Sequence, residues 1–117
     1  TLAAVEVADF VEAKYLCVFT ESGESARRMS RIRNKIPILA FTPEESVRRR
    51  MALNWGVESF VVSRVTHTDQ MVAQVDEALK STGRAVNGDK VIIISGSPPG
   101  IPGTTNDIRV HRVGDVL

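Results

Sequence analysis

Tyr15-Leu16-Cys17-Val18-Phe19-Thr20-Glu21-Ser22-Gly23-Glu24-Ser25 is the stretch that decides the architecture. Tyr15 to Phe19 is a continuous apolar run, the pattern of a strand buried on both faces rather than of one with a wet side. The polar residues after it lead into a helix running from Ser22–Ser25 to about Arg33, where arginines gather. A buried strand followed directly by a helix is the opening of an open α/β sheet. In such sheets ligands bind beyond the carboxyl ends of the strands, where Thr20 to Ser25 falls.

The rest of the chain repeats the alternation. Leu2 to Ala13 reads as an amphipathic helix, and Ile38 to Phe41 as a second buried strand. Thr42-Pro43-Glu44-Glu45 reads as a helix start, with Thr42 as N-cap, Pro in the first turn and a Glu at the capping-box position. That helix is expected to run to about Asn54 and to end at Gly56. Ser59 to Val62 is a third strand. Thr66 or Thr68 caps a helix whose apolar side is Met71, Val72, Val75, Ala78 and Leu79. Gly83 and Gly88 break the chain before a fourth strand, Val91 to Ile94. Asp107 to Val113 suits a half-exposed edge strand. The order predicts a single domain over 1–117: a three-layer α/β/α fold on a mainly parallel five-stranded sheet, its last strand antiparallel at an edge.

Composition excludes several classes. With 15 Lys and Arg against 14 Asp and Glu, the net charge of +1 gives no global attraction to nucleic acid or anionic membrane. Arg27, Arg28, Arg31, Arg33 and Lys35 form one basic cluster and Arg48, Arg49 and Arg50 another. Aromatics are only 5% and do not interleave with them, so solvated helix faces or subunit contacts fit better than a nucleic-acid surface. No apolar stretch approaches the ~20 residues that span a bilayer, and no basic-then-apolar leader opens the chain. The start at Thr1 rather than Met reads as a fragment or a processed chain. Cys17, the single cysteine, reads as a buried strand residue, which suits a reducing compartment.

Catalytic constellations are not evident. His67 reads as an exposed or capping residue and His111 as surface or interface; neither has the paired spacing of a metal site. Glu44 and Glu45 read as helix-start residues rather than an acid–base pair, and Trp55 as packing. Two loops carry what functional signal there is. In Thr20 to Ser25, Gly23 permits close backbone approach, Thr20, Ser22 and Ser25 offer hydroxyls, and the following helix offers its unpaired N–H groups. From residue types alone a plain helix cap is the stronger reading, and Glu21 and Glu24 would repel a phosphate if they pointed inward. The Lys of a Walker loop and the glycine spacing of a dinucleotide fingerprint are both missing. The second loop, Gly96 to Asn106, joins Pro98, Gly100, Gly103, Thr104 and Thr105 in a stiff turn after a strand end; a connector and a second donor loop are both open.

Taken in order, several segments resemble the C-terminal domain of pyruvate kinase, of bacterial type. They are Ala4-Val5-Glu6, Thr20-Glu21-Ser22-Gly23 with Ser25-Ala26-Arg27, Pro37-Ile38-Leu39-Ala40-Phe41-Thr42-Pro43, Ala52-Leu53-Asn54-Trp55-Gly56-Val57, Gly88-Asp89-Lys90-Val91 and Gly103-Thr104-Thr105-Asn106. The resemblance covers essentially the whole chain. It implies a regulatory, effector-binding and subunit-assembly domain of a cytoplasmic glycolytic enzyme that is usually a homo-oligomer. Catalysis, and the magnesium and potassium it uses, would belong to barrel and lid domains outside this chain, which is then no enzyme by itself. The effector's phosphate would bind at Thr20, Ser22, Gly23, Glu24 and Ser25, and the effector loop would be Pro98, Gly100, Gly103, Thr104 and Thr105. Family members that bind a sugar bisphosphate often carry Lys or a small hydroxyl where Glu21 stands, and supply a Trp before the fourth strand where Ser81 to Gly88 has none. The effector expected is therefore AMP or a sugar monophosphate rather than fructose 1,6-bisphosphate. Two other readings stand beside this one: an assembly module without an effector, whose edge strand at Asp107 to Val113 pairs with its symmetry mate, and a free-standing phosphometabolite-binding domain or small enzyme.

Overall fold

The computed structural model describes residues 2–32, 35–54, 56–65, 68–95 and 107–115. In chain order the elements are α1 (Leu2–Val11), β1 (Tyr15–Phe19), α2 (Glu24–Ile32), β2 (Ile38–Thr42), α3 (Glu45–Met51), β3 (Val57–Val61), α4 (Thr68–Ser81), β4 (Lys90–Ser95) and β5 (Asp107–Arg112). The strands form one sheet in the order β3-β2-β1-β4-β5. All neighbours are parallel except β4 and β5, which pair antiparallel at the edge. The expected three-layer α/β/α fold is the one observed.

The apolar runs explain the layers. Successive strand side chains point to opposite faces, and both faces of β1, β2 and β4 are covered. Leu16, Val18, Ile38, Ile92 and Ile94 pack with Ala4, Val5 and Ala8 of α1 and Met29 of α2. Ala40 meets Ala26 of α2 and Val47 and Met51 of α3 on the same side. On the other face Cys17, Leu39, Phe41, Val91 and Ile93 pack against Val72, Val75 and Leu79 of α4. Phe41 lies between Phe19 and Phe60, with ring centroids 5.3 Å from each, so an aromatic stack crosses β1, β2 and β3 beneath α4.

Several boundaries differ from the sequence expectation, each for a local reason. Thr42 is not the N-cap of α3: it is the last, fully buried residue of β2, and its hydroxyl accepts the Glu44 N–H at 3.2 Å. Glu44 takes the N-cap position with extended backbone and no side-chain cap. The helix stops at Met51, because Leu53 N–H and Asn54 N–H bond back to Arg50 O and Met51 O in tighter turns. α2 begins at Glu24, inside the Ser22–Ser25 start expected of it, while α1 ends at Val11 rather than at Ala13, ahead of Glu12 at a positive φ of 58°. β3 starts at Val57, two residues early; at the sheet edge it is only half-buried, so Glu58 within it hides the strand signal. His111 is not a surface residue: it faces α4, is 5% exposed and lies 2.9 Å (Nε2) from Asp76 Oδ1. The Thr66 cap, His67 and Trp55 lie outside the described residues.

Candidate functional site at the carboxyl rim

The order of the strands creates one special place on the rim. From β1 the chain moves through α2 and α3 to β2 and β3 on one side; it then returns through α4, over the opposite face, to β4 on the other side of β1. β1 and β4 are parallel neighbours, with Val18 opposite Ile94. Their carboxyl ends therefore flank the switch point, where open α/β sheets leave a crevice. Both loops singled out in the sequence leave from these ends. The second, with Pro98, Gly100, Gly103, Thr104 and Thr105, lies outside the described residues; its anchors Ser95 and Asp107 are register partners.

The first loop is a built turn. Thr20 N–H donates to Phe41 O at 3.0 Å, which extends the β1–β2 ladder by one residue. The Thr20 hydroxyl then accepts the Gly23 N–H at 2.9 Å and closes the turn. Gly23 O accepts the Arg27 N–H at 3.0 Å, the first bond of α2, so Gly23 stands at the helix threshold with Glu24 and Ser25 as the first helical residues. Gly23 has φ +86°, a left-handed backbone that glycine adopts freely. A Cβ there would lie 3.2 Å from Met51 Cγ and 3.4 Å from Val47 Cγ1, so the loop is packed down on α3. Ser22 is exposed at the tip. Thr20, Ser22 and Gly23 thus lie in one tight turn, in which the Thr20 oxygen and the Gly23 N–H hold each other, and Glu24 and Ser25 follow as the first turn of α2.

Beside this turn is a pocket of about 350 Å³ lined by Ser22, Gly23, Arg27, Arg50, Met51 and Asn54. It brings Arg27 of α2 and Arg50 of α3 beside the loop. Glu21 is not part of its wall. The Glu21 carboxylate is instead engaged by Arg64, from the segment after β3, and Arg64 also reaches Glu44 Oε1 at 3.2 Å. The inward-pointing Glu21 that would repel an anion is therefore not the one observed.

The sequence reading does not single out Asn54 or Arg64 as site residues, and it takes Arg50 only as part of a solvated helix face or subunit contact. Arg64 follows the carboxyl end of a strand, the one signal that could have marked it. The other arginines of α3 are used locally: Arg48 Nε donates to both Glu45 oxygens at 3.0 and 2.9 Å, and Arg49 lies 3.4 Å from Glu45 Oε1. The hydrogen bonds and charge of Arg48 hold the Glu45 carboxyl at about 2, and no acid–base role near neutrality follows from it. Among the described residues no three His, Cys, Asp or Glu side chains gather as a metal site, and no helix is long and apolar enough to cross a membrane.

A profile of the family described as pyruvate kinase, alpha/beta domain, matches residues 1–111. The chain is 43% identical over 113 residues to a pyruvate kinase of Mycobacterium tuberculosis strain H37Rv, covering 97% of this chain and 24% of that protein. It is 42% identical over 113 residues to the pyruvate kinase of Corynebacterium glutamicum, again covering 97% and 24%. To the pyruvate kinase of Staphylococcus aureus it is 38% identical over 107 residues, 92% of this chain and 18% of the other. The chain thus spans about a quarter of the length of the first two relatives. With its order of elements, its mixed five-stranded sheet and this match over nearly its whole length, the chain belongs to the family of pyruvate kinase alpha/beta domains.

Proposed function

We propose that this chain is the regulatory, effector-binding domain of a pyruvate kinase, a phosphotransferase that converts phosphoenolpyruvate and ADP into pyruvate and ATP. In this reading the catalytic residues, with the magnesium and potassium they use, reside in the remainder of the parent enzyme, in the cytoplasm, and this domain carries no chemistry itself. The effector is a phosphorylated small molecule, AMP or a sugar monophosphate. Its phosphate sits on the Thr20–Ser25 turn, and Pro98, Gly100, Gly103, Thr104 and Thr105 form the effector loop.

The observation that carries the reading is the adjacency of β1 and β4 at the switch point, with Val18 opposite Ile94, so that the two loops leave the sheet side by side. The turn at the start of α2 offers backbone N–H groups and hydroxyls where a helix dipole favours an anion. Arg27 and Arg50 beside it add positive potential. Isothermal titration of the full chain with AMP, ribose 5-phosphate, glucose 6-phosphate and fructose 1,6-bisphosphate tests the proposal. Saturable binding of a monophosphate in preference to the bisphosphate is expected; no binding of any of the four refutes the effector role.

A second role, assembly into a homo-oligomer, has its own support. Among the described residues β5 has a neighbour on one side only, and Ile108 and Val110 on it are 42% and 47% exposed. A free strand edge with apolar side chains is suited to pairing with a second copy. Sedimentation of the full chain with Val110→Lys should show a smaller assembly than the natural chain; unchanged assembly removes β5 from the interface.

A further inference from the structure

Arg64 stands after β3, at the edge of the sheet, yet its guanidinium contacts the loop after β1, two strands away. One nitrogen meets Glu21 Oε1 and the other lies 3.2 Å from Glu44 Oε1, at the N-terminus of α3. The three residues thus link the segments that follow β1, β2 and β3. Glu21 is the more enclosed of the two carboxylates, with 20% of its side chain exposed against 54% for Glu44. Its charge is one residue from Ser22 and two from Gly23, so an unpaired carboxylate there acts on any anion seated on the turn. Two negative charges a few ångströms apart at a protein surface repel each other, the more strongly the less water reaches them. Pairing with Arg64 offsets that charge, and the partner comes from the β3 side of the rim, the side away from β4.

We propose that Arg64 is a positioning residue of the effector turn: it masks the Glu21 charge and holds that side chain on the β2–β3 side of the rim, which leaves the turn from Thr20 to Ser25 able to accept a phosphate monoester. The proposal rests on the reading of that turn as a phosphate site. It makes Glu21 compatible with a monophosphate while giving no positive side chain at that position for a second phosphate. Arg64 acts through Glu21, not by touching the ligand.

Titration calorimetry of the full chain with AMP and glucose 6-phosphate, at low and at high ionic strength, tests this with Arg64→Ala, Arg64→Lys, Glu21→Gln and the double variant Arg64→Ala/Glu21→Gln. Arg64→Ala should weaken binding about tenfold at low salt and less at high salt, since exposed charges are screened beyond about 10 Å at 0.1 M. Arg64→Lys keeps the charge and should bind within about threefold of the natural chain, while Glu21→Gln should bind at least as tightly. The deciding result is the double variant, which should recover to within about threefold, since removing both charges leaves nothing to mask. A double variant as weak as Arg64→Ala overturns the proposal, because Arg64 would then act by direct contact or by shaping the loop. Natural chain that binds while Arg64→Ala binds equally well also overturns it and leaves the effector site standing. Natural chain that binds neither compound refutes the effector site and this inference with it.

Discussion

His111 Nε2 lies 2.9 Å from Asp76 Oδ1, a contact that ties the last strand to α4 across the face of the sheet. The same Asp76 oxygen accepts the Gly114 N–H at 2.8 Å, and Asp76 Oδ2 pairs with Lys80 at 3.1 Å, one helical turn on. One carboxylate therefore anchors β5 and the turn after it. Asp76→Ala leaves a buried imidazole and a backbone N–H without their partner and should cost about 1–3 kcal/mol in urea unfolding.

The same residue makes stability depend on acid. Partial burial pushes the Asp76 carboxyl up, but the Gly114 N–H, His111 and Lys80 outweigh it and hold the carboxyl below its ordinary value. A lowered folded-state value means that the contribution is complete above the ordinary carboxylate range, near 3.9, and is lost as pH falls through the folded value. Urea midpoints measured from neutral pH downward should fall more steeply below about pH 4 in the natural chain than in Asp76→Asn.

Gly23 is constrained by backbone and by packing together, whereas Gly56, also at positive φ (+69°), has nothing within 4 Å of the position a Cβ would take. Gly56→Ala should cost about 1 kcal/mol from the left-handed backbone alone. Gly23→Ala should cost more, because Met51 must also move. If thermal unfolding finds the two equal, the contact of the turn with α3 contributes nothing.

Phe41 is fully buried and stacked on both sides, so truncation removes two ring contacts as well as its own buried area. Phe41→Ala should destabilise by about 3–5 kcal/mol and Phe41→Leu by distinctly less, read from denaturant midpoints.

Cys17, at the centre of β1, is completely buried, and burial pushes its thiol well above the ordinary range. It should not react with an aromatic disulfide reagent at neutral pH and should react fully once denaturant is added. Rapid labelling of folded protein would mean that β1 opens readily.

What the sequence made legible follows from where the apolar residues are. β1, β2 and β4 are read almost to the residue because both of their faces are covered, leaving uninterrupted runs such as Val91-Ile92-Ile93-Ile94. β3 was read late because an edge strand carries Glu58 within it. Thr42-Pro43-Glu44-Glu45 looks like a cap followed by a helix, yet tertiary burial of Thr42 keeps it in β2 and delays α3. The turn at Thr20 to Ser25 was visible as a motif, but the pairing of Glu21 with Arg64, 43 residues away, depends on three neighbouring strands and has no local signature. The burial of His111 has no local signature either: its partner Asp76 lies on α4, and edge-strand alternation alone does not reveal which side the helix covers.

In the proposed function a phosphorylated effector binds at the switch point between β1 and β4. Hydrogen–deuterium exchange of the full chain, with and without saturating AMP or glucose 6-phosphate, tests it most directly. Exchange should slow in the peptides covering 20–25 and 96–106 together, with little change in α4 and in the edge strand β3. Unchanged exchange at both loops under saturating ligand, or protection confined to another part of the chain, would contradict it.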